Sequence, residues 1–185
     1  MKVYLAGPEV FLPDPMAAAK AKQAICKKYG FTGLFPLDTT LDLANLSPFE
    51  AGMAIYQSNI TLMDRCDLII ANMTPFRGCS MDVGTAFEMG YFAGQAKPVF
   101  GYSNDGRLYV DRVPTNTPGI DEQGQSIESF EMHDNLMLEG AIHTSGGTFA
   151  CEMVELDGYY TRLEVFETVV KIAGDRLLGQ GNRIL

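Results

Sequence analysis

The chain has 185 residues and a formal net charge of −9, from 14 Lys and Arg against 23 Asp and Glu. Apolar residues make up 46% of it, enough for a hydrophobic core, so we expect one folded domain over residues 1–185 and no intrinsic disorder. The acidic charge disfavours binding to a nucleic-acid backbone, and the sequence has no run of 18 apolar residues that could cross a membrane.

The start of the chain and its cysteines indicate a cellular compartment. A strand-like segment stands first, instead of a basic and then apolar leader, so a secreted protein is not expected. Four cysteines occur without a CxxC pair or a regular spacing: Cys26, Cys66, Cys79 and Cys151. Reduced thiols are typical of the cytosol, and we therefore expect a cytoplasmic protein.

Predicted strands alternate with predicted helices along most of the chain. In chain order, the strands lie at residues 2–6, 33–38, 67–73 and 97–102, with a possible short strand at about 148–154. The helices lie at about 15–29, 48–66, 81–95 and 159–178, and Asp14 and Ser47 are the expected N-caps of the first two. This alternation predicts an α/β fold with a doubly wound, mostly parallel five-stranded sheet, flavodoxin-like or Rossmann-like, and helices on both faces.

A long segment rich in Asn, Asp, Gly, Pro and Gln follows the fourth predicted strand, at about residues 103–129. Loops of this length usually have a function or are mobile. The acidic residues at 121–131 are more typical of a solvated surface than of catalysis. After an apolar stretch at 130–141, Tyr159 and Tyr160 either begin the last helix, which is the preferred interpretation, or close over a site.

The residues at the strand ends indicate where a ligand would bind. Ligands of open α/β sheets lie beyond the carboxyl ends of the strands. Four polar side chains are expected near those ends: Tyr4, Asp38, Asp82 and Glu88. Most of them are acids, and the chain has neither the GxGxxG spacing after its first strand nor a GxxxxGK[ST] loop. An enzyme of dinucleotides or triphosphates is therefore disfavoured, and no cofactor is expected.

Asp82 and Glu88 belong to the segment SMDVGTAFE at residues 80–88. Six residues correspond to about 240° around a helix and about 9 Å along it, so the two side chains cannot share one helical face. If both serve one site, Asp82 must lie at the entrance of the helix or in the loop before it. Gly84 precedes Glu88 by four residues and would leave space above its carboxylate for a ligand.

A purely structural explanation of these two acids stays open beside the functional one. Asp82 could be an acid favoured in the first turn by the helix dipole, and Glu88 could be a solvated residue. The residues that flank Glu88 are nevertheless mostly apolar: Ala86, Phe87, Met89, Tyr91 and Phe92. A helix this apolar is largely buried, and a glutamate inside it favours a functional role.

Five segments of the chain form a specific set. They read YLAGP at 4–8 with Phe11 behind it, DLIIAN at 67–72, FRG at 76–78, DVGTAFEMG at 82–90 and NLM at 135–137. With these segments the chain resembles the nucleoside 2-deoxyribosyltransferase family over residues 1 to about 140. The combination of the first and the fourth segment carries most of the specificity.

The resemblance implies a pentosyltransferase of nucleotide salvage and a role for three residues. Glu88 matches the family's nucleophile, and Asp82 matches the acid that hydrogen-bonds the leaving or entering base. Tyr4 matches the tyrosine whose hydroxyl orients the nucleophilic carboxylate. A carboxylate below the anomeric carbon suits this chemistry, because the oxocarbenium-like transition state can collapse to a covalent deoxyribosyl-glutamate.

The resemblance also implies residues that hold the sugar. Asn135 and Met137 match residues that a neighbouring subunit inserts into the site, so a homo-oligomer with shared active sites is expected, built from dimers and up to a hexamer. Asn59 falls where well-known members carry an aspartate that binds the 5′-hydroxyl. An amide can make that hydrogen bond without the charge.

Further substrate contacts are expected at the ends of the first two strands. Gly7 and Asp38 are candidates there, and Thr40 is the nearest position to a glutamine that contacts the base in some family members. Phe11 either stacks on the base or packs in the core near the sheet edge.

The expected partners are small 2′-deoxynucleosides and free purine or pyrimidine bases, with neither nucleic acid nor membrane. The resemblance implies transfer of 2-deoxyribose by double displacement, with hydrolysis as a side reaction. No metal is expected, because His133 and His143 have no Cys or acid at metal-ligand spacing. Cys79 has no histidine near it in sequence, so it is not interpreted as a nucleophile.

Two other functions remain as alternatives. The first is an N-glycosidase of 2′-deoxynucleosides or their 5′-monophosphates that uses water as the acceptor; a phosphate site would need Ser and Arg donors where residues 7–11 read GPEVF. The second is a nucleotide-sensing module without catalysis. The presence of Tyr4, Asp82, Glu88 and Asn135 together disfavours it.

Overall fold

The computed structural model describes residues 1–179. Five parallel strands form one sheet in the order β2-β1-β3-β4-β5. In chain order they are β1 (Lys2–Ala6), β2 (Thr32–Leu34), β3 (Leu68–Asn72), β4 (Val99–Ser103) and β5 (Phe149–Cys151). The predicted α/β class with a parallel five-stranded sheet is thereby confirmed. The predicted single domain extends to residue 185, and its last six positions lie outside the described residues.

Within the described residues, five helices cover the two faces of the sheet: α1 (Pro15–Lys28), α2 (Pro48–Asp64), α3 (Val83–Gly94), α4 (Leu136–Thr144) and α5 (Glu164–Leu177). Side chains of a strand point alternately to opposite faces. Val3 and Leu5 of β1 therefore pack in the core below α1 and α5, whereas Tyr4 and Ala6 pack in the core below α2, α3 and α4. This alternation directs the Tyr4 side chain toward α3.

The order of the strands also fixes where a ligand can enter. Strand β2 lies on one side of β1, and β3 lies on the other side of β1. The loops that follow β1 and β3 consequently diverge from each other, which opens a crevice at the carboxyl ends of these two strands.

Three sequence expectations differ from the structure. The second strand was expected at 33–38, but β2 ends at Leu34 and a 3₁₀ turn follows at Pro36–Asp38, because Pro36 has no N–H for the sheet. The last helix was expected from Tyr159, but α5 begins at Glu164, after a 3₁₀ turn at Leu156–Gly158. Helix α4 was not predicted within the apolar stretch at 130–141.

The segment at 103–129 is mostly irregular, as its composition predicts. It contains a 3₁₀ turn at Tyr109–Asp111 and two isolated bridges around Ile120. Within residues 1–179, none of the helices combines the length and the apolar character needed to span a lipid bilayer.

Candidate active site

Tyr4 and Glu88 meet where β1 faces α3. Tyr4 is fully buried, and its hydroxyl donates a hydrogen bond of 2.5 Å to Oε1 of Glu88. The Tyr4 ring also packs against the ring of Phe92, one helical turn beyond Glu88, with the two ring centroids 5.9 Å apart. This contact limits the movement of the Tyr4 side chain. One carboxylate oxygen of Glu88 is therefore fixed, and the other accepts no hydrogen bond from residues 1–179.

Asp82 stands at the entrance of α3, as two acids six residues apart require if they serve one site. It is the N-cap of the helix, and its Oδ2 accepts hydrogen bonds from Thr85 N at 2.9 Å and Thr85 Oγ1 at 3.1 Å. Its Oδ1 makes no hydrogen bond to residues 1–179. Gly84 stands beside it, and a Cβ there would lie 3.0 Å from Asp82 Oδ2.

Asp82 and Glu88 both line a pocket of about 320 Å³, which lies at the expected crevice. Residues from the first loop, from the turn after β2 and from the facing sides of α2 and α3 surround it. Its lining consists of Gly7, Val10, Phe11, Pro36, Leu37, Ile55, Asn59, Asp82, Gly84, Thr85 and Glu88. Of the predicted site residues, the structure brings Glu88, Asp82, Gly7, Phe11 and Asn59 to this pocket, with Tyr4 directly behind Glu88.

The surroundings of Glu88 shift its protonation. Burial raises the pKa of its carboxyl from the ordinary 4.5 to about 7, although the hydrogen bond from Tyr4 acts in the opposite direction. The negative charge of Asp82 adds to the increase. Burial, followed by the charge of Glu88, also raises the pKa of the Tyr4 hydroxyl far above its ordinary range, so Tyr4 stays a hydrogen-bond donor.

A buried ion pair lies beneath the first loop. Oε1 of Glu9 accepts hydrogen bonds from Lys22 Nζ, from Asn72 Nδ2 at 2.8 Å and from Tyr102 OH at 3.0 Å, and both charged side chains are almost fully buried. A side chain at Gly7 would meet Glu9 Oε2 at 2.1 Å. The loop therefore needs glycine at this position, and Glu9 supports the wall of the pocket from inside.

Sequence reasoning did not single out this pair. Glu9 lies in a short loop after the first strand, and Lys22 lies in a helix whose lysines resemble solvated ones. The signal that could have found them is weak. Because β1, β3 and β4 are apolar, the polar residues that follow them have to pair inside the fold.

Phe11 lies at the pocket and not in the core, which excludes the second of its two expected positions. Its side chain is 55% exposed. Its ring stacks on the ring of Phe76 with centroids 5.3 Å apart and an interplanar angle of 10°. An exposed aromatic face at a pocket of this size is suited to an aromatic ligand.

Asp38 does not reach the pocket. Its Oδ2 accepts hydrogen bonds from Phe35 N at 2.8 Å and from Gln23 Nε2 at 2.9 Å, which caps the turn at Pro36–Asp38. Its neighbours Pro36 and Leu37 line the pocket in its place, and Thr40 is also outside the lining. Asp38 is therefore not among the predicted site residues that the structure brings to the pocket.

Asn135 and Met137 also lie away from the pocket of their own chain. Asn135 is the N-cap of α4: its Oδ1 accepts from Met137 N at 3.1 Å and its Nδ2 donates to Glu128 Oε1 at 2.6 Å. Met137 is 71% exposed. Their predicted role thus requires a second subunit.

Asp134 connects the loop before Asp82 with the loop before Asn135. This carboxylate is buried; Oδ2 accepts from Met81 N at 2.9 Å, and Oδ1 accepts from Asn135 N at 2.8 Å and from the hydroxyl of Ser80. The Arg112 guanidinium balances its charge at 3.6 Å. Asp134 thus holds Ser80 and Met81, the two residues that directly precede Asp82.

A second groove, of about 370 Å³, lies between α1 and residues 160–163. Its walls are mainly apolar, and its one acid, Asp14, is the N-cap of α1. Nothing in this groove matches the paired acids of the first pocket. Among residues 1–179, no three His, Cys, Asp or Glu side chains are grouped so that they could hold a metal ion.

The chain is similar to known proteins in sequence and in fold. The model of a family described as nucleoside 2-deoxyribosyltransferase matches residues 3–137. An uncharacterized protein of Schizosaccharomyces pombe is 34% identical over 198 residues, which cover 96% of this chain and 90% of that protein.

Solved structures show the same architecture. A 2-desoxiribosyltransferase from Leishmania mexicana has a TM-score of 0.65 at 29% identity, over 92% of this chain and 97% of that one. A conserved protein from Enterococcus faecalis V583 has a TM-score of 0.55 at 18% identity, over 93% and 98% of the two chains. The second likeness shows the fold alone.

Proposed function

Because the chain belongs to the nucleoside 2-deoxyribosyltransferase family, we propose that it moves 2-deoxyribose from one nucleobase to another through a covalent intermediate on Glu88. The observation that carries this proposal is the hydrogen bond from Tyr4 to Glu88 at the floor of a pocket that also contains Asp82. A fixed carboxylate and a second acid in one pocket are what double displacement at a sugar carbon requires.

In the first half of the reaction, a carboxylate oxygen of Glu88 attacks C1′ of the donor from the side opposite the base. The bond between C1′ and the base nitrogen breaks, and its electron pair goes to the base. Asp82 gives a proton to that base, and a bond between C1′ and Glu88 forms. The hydrogen bond from Tyr4 fixes the direction of the carboxylate during the attack.

In the second half, a different base enters the space that the first one left. The carboxylate of Asp82 takes a proton from its nitrogen, the nitrogen attacks C1′, and the bond to Glu88 breaks. Two inversions at C1′ retain the configuration of the nucleoside. Water at the same position would release free deoxyribose, which makes hydrolysis the expected side reaction.

The two acids have different tasks. Glu88 has to be ionised to attack, and Asp82 has to pass a proton to the base as it leaves. A Glu88 pKa of about 7 means that a substantial part of the molecules has the reactive carboxylate at neutral pH. Tyr4 favours that form, because it donates to the carboxylate.

Asn59 and Phe11 are the proposed contacts of the two ends of the nucleoside. Asn59 lies on α2 in the wall of the pocket, where its amide can hydrogen-bond a sugar hydroxyl. The exposed ring of Phe11 is suited to stack on the base. Gly7 contributes its backbone to the same wall, close enough to the ligand because it has no side chain.

We also propose that two copies of the chain complete each other's sites. Apolar residues of α2 and α3, namely Met53, Tyr56, Val83 and Phe87, form an exposed patch beside the pocket; the rings of Tyr56 and Phe87 lie 6.2 Å apart, and Val83 is 85% exposed. A monomer rarely leaves such a surface in water. A second copy on this patch would bring its own Asn135 and Met137 toward the sugar.

The experiment that tests the nucleophile is intact-mass spectrometry of the protein with a 2′-deoxynucleoside and no acceptor base. The unaltered chain should gain the mass of one deoxyribosyl group, and Glu88→Gln should not. Glu122→Gln, in the long loop, is the matched control and should behave as the unaltered chain. Normal base exchange by Glu88→Ala would contradict the proposal.

A further inference from the structure

A stack of two rings and one guanidinium stands beside the pocket. Phe11 and Phe76 are parallel, and the guanidinium carbon of Arg77 lies 4.8 Å from the centroid of Phe11 and 4.6 Å from that of Phe76. Phe76 also meets the edge of the Tyr160 ring at 5.9 Å. Phe11 is therefore the exposed end of a larger assembly and not an isolated side chain.

The backbone at Arg77 adopts an unfavourable conformation in order to build this stack. Its φ of +56° lies in the left-handed region, which residues with a Cβ rarely adopt. Phe76 N donates to Ser80 O at 3.0 Å, and the Tyr160 hydroxyl donates to Pro75 O at 2.5 Å, so the loop is held on both sides of Arg77. Strain that the surroundings maintain in this way is concentrated at functional sites.

Arg77 contributes little else to the fold. Within residues 1–179 its guanidinium makes neither an ion pair nor a hydrogen bond, and its side chain is exposed. The contacts that it does make are with the faces of the two rings. A role in holding the loop together therefore does not explain why arginine stands at this strained position.

We propose that Arg77 and Phe76 are positioning residues that hold the Phe11 ring in the plane in which it stacks on the nucleobase. This inference rests on the proposed function and deepens it. A free Phe11 at the end of a loop would lose side-chain freedom on binding each base. Holding it in place beforehand removes that cost, which improves the binding of the nucleoside.

Substitution of Arg77 should change the affinity for the nucleoside and not the thermal stability. Arg77→Gly removes the guanidinium but fits the left-handed backbone, so the thermal midpoint should not fall. Affinity for a 2′-deoxynucleoside should fall about 2- to 5-fold, as expected for the loss of a cation–π contact at an exposed site. The loss should be larger for 2′-deoxyadenosine than for thymidine, because a purine offers more stacking area.

The test is calorimetric titration of these two nucleosides into the Glu88→Ala protein, which prevents turnover. Arg77→Gly and Phe11→Leu are added singly and together. If Arg77 acts through Phe11, the combination should bind no more weakly than Phe11→Leu alone. Arg77→Lys keeps the charge without the planar group and should restore only part of the affinity.

Several results would overturn the inference. These are unchanged affinity in Arg77→Gly, additive losses in the combination, or a fall in thermal midpoint that accompanies the loss. Arg65→Met, at the end of α2, is the control for net charge, and an equal loss there would also overturn it. Failure of the Glu88→Ala protein without further substitutions to bind either nucleoside would overturn the proposed function as well, whereas additivity alone leaves that function standing.

Discussion

The Tyr4 hydroxyl on β1 donates a 2.5 Å hydrogen bond to Oε1 of Glu88 on α3, 84 positions later in the chain. The strand is buried on both faces and cannot move without disturbing the sheet. The donor is therefore rigid, and the carboxylate that it holds sits in a partly dry environment that raises the pKa to about 7. A fixed and poorly hydrated carboxylate has less solvent to lose when it attacks a sugar carbon.

The pKa of Glu88 predicts the pH dependence of the reaction. Because the attacking form is the carboxylate, kcat/KM for the donor should fall as the pH drops through about 7. Tyr4→Phe removes the hydrogen bond that lowers this pKa, so its acidic limb should lie at higher pH. A pH–rate profile from pH 5 to 9 for both proteins checks this, and identical limbs would contradict the role of Tyr4.

The same shift predicts that Glu88→Gln stabilises the protein at alkaline pH. The folded state raises the pKa from 4.5 to about 7, so the folded state binds the proton more tightly than the unfolded chain. The stability that protonated Glu88 contributes is complete below pH 4.5 and is lost as the pH rises through 7. The variant should gain on the order of 1–3 kcal/mol at pH 8 and almost nothing at pH 4. Chemical denaturation at the two pH values measures the difference, and an equal effect at both would refute the explanation.

Asp82 serves both the helix and the proposed chemistry, and two substitutions separate these roles. Asp82→Asn keeps an N-cap, whereas Asp82→Ala should lose about 1 kcal/mol of stability. Both should lower turnover by about 10²- to 10⁴-fold, because neither can transfer the proton. Asp14→Ala removes the equivalent cap of α1, a 3.0 Å bond from Ala17 N, and should reduce stability without changing turnover. Full activity in Asp82→Asn would remove Asp82 from the mechanism.

The buried pair of Glu9 and Lys22 should show strong coupling. Lys22→Met leaves an unpaired buried carboxylate and should cost about 3–5 kcal/mol, and Glu9→Gln should cost a similar amount. The double variant Glu9→Gln/Lys22→Met should cost clearly less than the sum, because no charge remains inside. Urea unfolding of the four proteins completes the cycle. Additive losses would mean that the two groups do not depend on each other.

The proposed sharing of sites predicts complementation between inactive subunits. Glu88→Ala and Asn135→Ser should each be nearly inactive alone, and serine retains the cap of α4. When they are unfolded together and refolded as a mixture, each mixed dimer has one intact site. About a quarter of the normal activity should then return. No recovery in a mixture shown to contain mixed dimers would contradict shared sites.

The elements with explicit end signals were predictable from the sequence. The N-cap at Asp14 predicts the start of α1 and the capping box at Ser47 predicts the start of α2, and both helices begin where expected. The geometry of a six-residue separation also placed Asp82 at the entrance of α3. Local hydrogen bonds between neighbouring residues determine these features, which is why a single sequence contains them.

The features that the sequence did not predict involve polar residues that hydrogen-bond the backbone of a turn or a helix end. Asp38 is predicted near the substrate, and in the structure its carboxylate caps the turn that ends β2. Asn135 was interpreted only as a sugar contact, so the start of α4 that it caps was missed. Ahead of α5, the amide of Asn104 donates to Tyr159 O at 2.8 Å across 55 positions. Contacts at such distances along the chain leave no local pattern.

The Asp134 carboxylate accepts hydrogen bonds from the backbone of two loops of its own chain. It holds Met81, next to the acid of its own pocket, and Asn135, the residue offered to a neighbour. Under the proposed sharing of sites, one substitution at this carboxylate would disturb two pockets in two molecules at once. A single buried carboxylate therefore couples the loop that carries a subunit's own acid to the loop that the subunit would offer to its neighbour.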